Sequence, residues 1–155
     1  MASSTYNTIL ITANGGHRPI FEYEADEALT PGELVRFDAD DELEPHGTAN
    51  GVAQKVFVVE NPYATGNTSK AIDQDYALGD SARVIFGQPG DVVYAWLKAG
   101  VNAAKGDALT SDGAGALQKP TVDASLLSGA IVAFADEDKD NSGGGTRVRI
   151  KARVA

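Results

Sequence analysis

Short alternations of apolar and polar residues, broken by Gly, Pro and Asn, run along the chain and predict β-structure almost throughout. Residues 6–12 (YNTILIT) read as a first strand, closed by the turn signal Asn14-Gly15-Gly16. Residues 19–24, 32–38 and 53–60 follow, the last two separated by a polar stretch at 40–51 that contains Pro45, Gly47 and Asn50-Gly51. Residues 61–74 read as a longer loop. Further strands are expected at 82–87, 91–97, 107–110, 115–118, 128–134 and 146–154. The last is the cleanest alternation: Val148, Ile150, Ala152 and Val154 share one face, and Arg147, Arg149, Lys151 and Arg153 the other. Such a face is either a wet side of a terminal strand or a basic stripe for an acidic partner. Helical spacing is thin. Residues 96–105 could hold two turns, but Gly100 and Asn102 interrupt them; residues 123–135 could start at an Asp123 cap, but Gly129 and Ile131-Val132 favour a strand. The fold class is all-β, a compact barrel or sandwich with at most one or two short helices.

One local element recurs four times: Gly followed by an acid and then by apolar residues, at Gly32-Glu33, Gly79-Asp80, Gly90-Asp91 and Gly106-Asp107. Two copies carry Pro before the Gly, the signature of a type II turn leading into a strand. The spacing is too irregular for a solenoid. Residues 111–115 (Ser-Asp-Gly-Ala-Gly) read as a hairpin tip.

At 155 residues the chain suits one domain, with residues 1–16 as an N-terminal arm or first strand and 17–155 as a single β-rich body. Asp and Glu number 22 against 13 Lys and Arg, a net charge of −9, which argues against a nucleic-acid surface. Zero Cys excludes a disulfide framework, a thiolate nucleophile and Cys-based metal sites. No apolar run approaches the ~20 residues of a membrane span, and residues 1–14 lack the pattern of a secretory signal. A soluble protein made in the cytoplasm is the expectation.

Candidate chemistry is sparse. His17 and His46 are the only histidines, both in turn-like segments that read as surface loops, and no Ser sits in a Gly-x-Ser-x-Gly elbow. Residues 136–147 place Asp136, Asp138 and Asp140 as a calcium loop would. Asn141 stands where that loop needs Gly, and Arg147 where it needs Glu, so an acidic β-connection is the better reading. The run Asp38, Asp40, Asp41, Glu42 reads as a solvated loop. Gly143-Gly144-Gly145 lacks the Lys-Ser/Thr of a phosphate loop. The sequence therefore points to neither an enzyme nor a cofactor or metal protein.

Taken in order, several segments carry a resemblance: Thr30-Pro31-Gly32-Glu33-Leu34-Val35, Gly51-Val52-Ala53, Tyr76-Ala77-Leu78-Gly79-Asp80, Gln88-Pro89-Gly90-Asp91-Val92-Val93, and Gly106-Asp107-Ala108-Leu109 with its Ser111-Asp112-Gly113 hairpin. Together they resemble the small capsid decoration (cement) proteins of tailed bacteriophages, over about two thirds of the chain. The resemblance implies a non-enzymatic β-module that binds the outside of an assembled phage head and stabilises it. It would contact the major capsid protein and assemble as a homotrimer at three-fold and quasi-three-fold positions. A β-domain of a tail, baseplate or head fibre, or a small carbohydrate-binding domain, are the competing classes.

Two segments are candidates for capsid or inter-subunit contact. Residues 6–12 are uncharged and strand-prone, so they need an edge to pair with, in their own sheet or on a neighbour. Tyr6, Thr8, Ile9, Leu10 and Ile11 are its contact candidates, and Arg147, Arg149, Lys151 and Arg153 those of the basic stripe. Residues 1–5, small and polar, are expected to be mobile.

Overall fold

The computed structural model describes residues 6–63, 70–121 and 129–155; the expected mobile tail at 1–5 and the Asp123 start of the helical alternative lie outside them. The described chain is all-β, with a single 3-10 turn at Ala71–Asp73 as its helical element. Strand β1 (Leu10–Thr12) begins it. Strands β2 (Phe21–Glu24), β3 (Leu34–Phe37), β4 (Leu43–Pro45), β5 (Val56–Val58) and β6 (Ser81–Phe86) build one sheet in the order β2-β6-β5-β3-β4. That sheet curls until its ends touch at one step, where Ala25 bridges Leu43 and the Asp26 N–H donates to the Leu43 carbonyl at 2.9 Å.

Strands β7 (Val92–Leu97), β9 (Ala108–Ser111), β10 (Leu117–Gln118), β11 (Ile131–Ala135) and β13 (Val148–Val154) form a closed five-stranded barrel. The ring runs β7-β10-β9-β11-β13 and returns to β7, which pairs with β13 along its whole length. β10 occupies only the Leu97 end of the other edge of β7, and β1 fills the rest, with Leu10 opposite Val93. A short ribbon of β8 (Asn102–Ala103) and β12 (Lys139–Asp140) sits beside it.

Each expected strand segment contains a strand. The sequence pattern does not predict β4, β8 or β12. β4 lies inside the polar stretch 40–51, where Leu43 alone is apolar enough to turn inward and is fully buried. Residues 96–105 are not helical: Gly100 takes φ +82° and donates its N–H to Asn141, which delivers the chain into β8 instead.

Period-two alternation divides the interior into two clusters. Val93, Ala95, Leu97, Leu109, Leu117, Ile150 and Ala152 fill the barrel, and Leu34, Phe57 and Ile85 join them from one face of the curled sheet. Val35, Val56, Val58, Ala82 and Val84 on the opposite face surround Tyr76 and Leu29. The sheet is thus buried on both sides, which explains the unbroken apolar run at 56–59.

The four Gly-acid elements share one geometry. In each, the Gly has positive φ (+97°, +84°, +92° and +93° in chain order), and the N–H of the acid closes the turn on the carbonyl three residues back. The carboxylate then reaches back to that first residue's N–H: Glu33 to Thr30, Asp80 to Ala77, Asp91 to Gln88 and Asp107 to Ala104, at 2.8–2.9 Å. One side chain satisfies a donor that the turn leaves open, and the following residues enter β3, β6, β7 and β9.

Candidate functional site

The cationic face of β13 is turned toward the chain's own acids and aromatic rings. Arg147 donates to Glu33 at 2.6 Å and lies over Trp96 at 4.6 Å. Arg149 is nine-tenths buried, donates to Asp73 and to the carbonyls of Pro31 and Ile72, and stacks on Trp96 at 4.4 Å. Its Nε is buried and has no partner among the described residues. Lys151 and Arg153 share Asp136, at 3.9 and 3.4 Å, and Arg153 stays half exposed. The turn at 30–33 lies against this face. The Trp96 indole N–H donates to Pro31, and a Cβ on Gly32 would stand 2.8 Å from the Tyr94 carbonyl oxygen. The stripe therefore fastens the curled sheet and the 3-10 turn to the barrel.

The other contact candidates divide. Ile9 is fully buried in the barrel cluster, and its carbonyl accepts from Tyr94 at 2.7 Å. Leu10 and Ile11 are half-buried on β1, Tyr6 packs edge-on against Tyr94, and Thr8 is exposed. Of the two placements left open by the sequence, the described chain shows β1 in its own sheet.

His46 differs from expectation. His17 is exposed, but His46 is buried, with Nδ1 2.7 Å from the Ser111 hydroxyl and Nε2 3.0 Å from the Val52 carbonyl. Ser111 Oγ also accepts the Gly113 N–H. Since a carbonyl only accepts, Nε2 donates to Val52, and in the neutral ring Nδ1 accepts from the Ser111 hydroxyl. The pair joins residues 46–52 to the 111–115 hairpin tip, and both members are sealed from solvent.

Acids gather in two places. Asp26, Asp38 and Glu42 bring carboxylate oxygens within 4.8 Å of one another, an assembly made by the β2–β4 seam that no local motif announces. Asp38 Oδ1 is already used by the Asp40 and Glu42 amides. Burial, and then the charges of Glu24, Asp38, Asp26 and Asp40, push the Glu42 carboxyl above its ordinary value. At 136–147 the carboxylates serve the backbone: Asp138 takes the Lys105 amide, and Asp140 the Ser142 amide and hydroxyl. Asn141 is buried there and donates to the carbonyls of Lys98 and Thr146.

A further ion pair joins two segments far apart in sequence. Arg18 grips Asp91 with two nitrogens at 2.7 and 2.9 Å, and the Asp91 side chain has no exposed surface. Burial raises the Asp91 carboxyl, but Arg18 and the amides of Gln88 and Asn14 outweigh it and hold the group below its usual value. Beside this pair an open groove of about 530 Å³ is lined by Asn14, Arg18, Pro19, Phe21, Phe86, Gln88 and Pro89. Seventy-three residues separate Arg18 from Asp91, and no sequence spacing marks the contact.

No protein-family model and no curated protein matches this chain.

Proposed function

We propose that the chain is a capsid decoration protein of a tailed bacteriophage, which binds the outer surface of the assembled head and bridges major capsid protein subunits. The order of its turns carries the reading: the Pro-Gly-Glu, Tyr-x-x-Gly-Asp, Pro-Gly-Asp and Gly-Asp-x-Leu segments that resemble cement proteins are the four reciprocal turns that launch β3, β6, β7 and β9. A β-body with two buried apolar clusters supports such a role, because a surface formed before docking loses little ordering entropy. The protein acts by burying surface, without catalysis and without a cofactor, in the virion and as a homotrimer. Sedimentation of the purified protein with expanded, empty heads of its own phage tests this. Co-sedimentation, with a higher melting temperature of the decorated heads, is the expected result; absence of binding to matured heads overturns the reading.

A further inference from the structure

Strand β2 ends the curled sheet, and its outer side is closed only at its last step. The ladder sets Phe21 opposite Val84 and Tyr23 opposite Ala82, and the Ala25 N–H donates to Asp80 at 2.9 Å. In an antiparallel pair that alternation turns the backbone groups of Phe21, Tyr23 and Ala25 toward β6, and those of Glu22 and Glu24 outward. Asp26 continues the outward set and finds Leu43 across the seam. Glu22 faces a side on which no strand of the described chain pairs, and the Glu24 N–H shares that side up to the Ala25–Leu43 bridge, which takes the Glu24 carbonyl. Exposure agrees: Phe21, Glu22 and Glu24 are all exposed, and Ile20 before them is 45% exposed.

Two features beside this edge select its occupant. The groove between Pro19, Phe21, Phe86 and Pro89 adjoins the start of β2 and offers an apolar seat. Around the rest of the edge the acids lack cationic partners, although Glu22 accepts the Tyr63 hydroxyl at 2.6 Å and Asp38 accepts two backbone amides. Glu22, Glu24 and Asp26, with Asp38, Asp40 and Glu42 of the β3–β4 turn, make no ion pair among the described residues. A second copy of this chain would bring the same acids and be repelled, which is how charged edges guard against self-pairing.

We infer that β2 accepts along its open edge an extended segment of a partner protein in which apolar residues alternate with Lys or Arg. The N–H and carbonyl of Glu22 and the N–H of Glu24 pair with the incoming strand, one apolar side chain enters the groove, and the cations meet the acids of the seam. The inference goes beyond the decoration reading and does not depend on which protein supplies the segment.

The probe is a synthetic acetylated octapeptide of alternating Val and Lys, and the readout is amide hydrogen exchange of the full chain. Exchange at Glu22 and Glu24 is expected to slow by about tenfold or more at saturation, and affinity to fall as salt rises. A Val–Glu octapeptide, and the Val–Lys peptide N-methylated at every residue, are expected to bind at least about tenfold more weakly. The exposed double variant Glu22→Lys, Glu24→Lys is expected to reverse the preference between the two unmethylated peptides. Unchanged exchange at Glu22 and Glu24, or equal binding of the methylated peptide, overturns the inference; the latter would leave charge attraction alone. Head binding plays no part in this assay, so its outcome is separate from that of the decoration reading.

Discussion

The four turns are built alike, yet their glycines and carboxylates carry different loads. Gly32 combines φ +97° with a barrier at 2.8 Å, whereas Gly79 has φ +84° and open space around its missing Cβ. Gly32→Ala is expected to cost about 2–3 kcal/mol and Gly79→Ala about 1 kcal/mol, read from urea unfolding midpoints. Glu33 and Asp91 occupy the same turn position and shift in opposite directions. Burial pushes the Glu33 carboxyl up despite the Thr30 amide and Arg147, while Arg18 and two amides hold Asp91 down against its burial. The linkage signs follow. Asp91 stabilises the fold above the ordinary aspartate range, and that contribution is lost as pH falls from about 4 through its lower folded value. Glu33 binds its proton more tightly in the folded state, so its contribution is lost as pH rises from about 4 through its higher folded value. Asp91→Asn is therefore expected to lower stability by about 1–3 kcal/mol near neutral pH and to flatten the acid limb of the profile. Glu33→Gln is expected to flatten the decline on the neutral side, and denaturation followed across the pH range checks both.

β1 and β13 show what alternation in the sequence reveals and what it hides. Alternation and turn chemistry located the strands because apolar residues spaced by two must share a face wherever they are buried. The same logic placed Ile150, Ala152 and Val154 inward. It did not reveal what lies against the opposite face, because the acids that meet the stripe come from residues 33, 73 and 136. Partners so distant in sequence are set by topology. β4 was missed for a related reason: one buried Leu43 is too little signal for a strand that exists because β3 and the Ala25 bridge hold it from both sides. His46 looked like a loop residue because its burial depends on Ser111, 65 residues away. Two tests follow from the packing of β1 and β13. Ile9→Ala is expected to cost about 2–5 kcal/mol, since Ile9 is fully buried within its own chain, and a much smaller loss in calorimetry would count against that placement. Arg149→Ala is expected to cost about 2–3 kcal/mol through its lost charge-assisted bonds. Arg153→Ala, half exposed with a long ion pair, should stay within about 0.5 kcal/mol.

The molecule as a whole carries −9, and its pairing pattern concentrates the surplus. The β13 cations neutralise acids of their own chain, so the negative charge left without partners includes the β2–β4 seam. A homotrimer resting on β13 of one copy meeting acidic loops of the next would have to compete with these pairs inside each chain. If three copies assemble, the seams must point away from one another, since acids brought together across a three-fold axis repel at short range. Two expectations follow for the purified chain. Light scattering is expected to give three times the 16.1 kDa chain mass, and added salt should strengthen that species by screening its residual repulsion. Arg153→Ala should leave the trimer intact, because its side chain serves Asp136 and Gly90 of its own chain. A stable dimer would contradict three-fold assembly. A monomer at all concentrations would confine assembly to the head surface, where neighbouring binding positions hold copies at high effective concentration. A trimer that dissociates as salt rises would show attraction between opposite charges across the subunits.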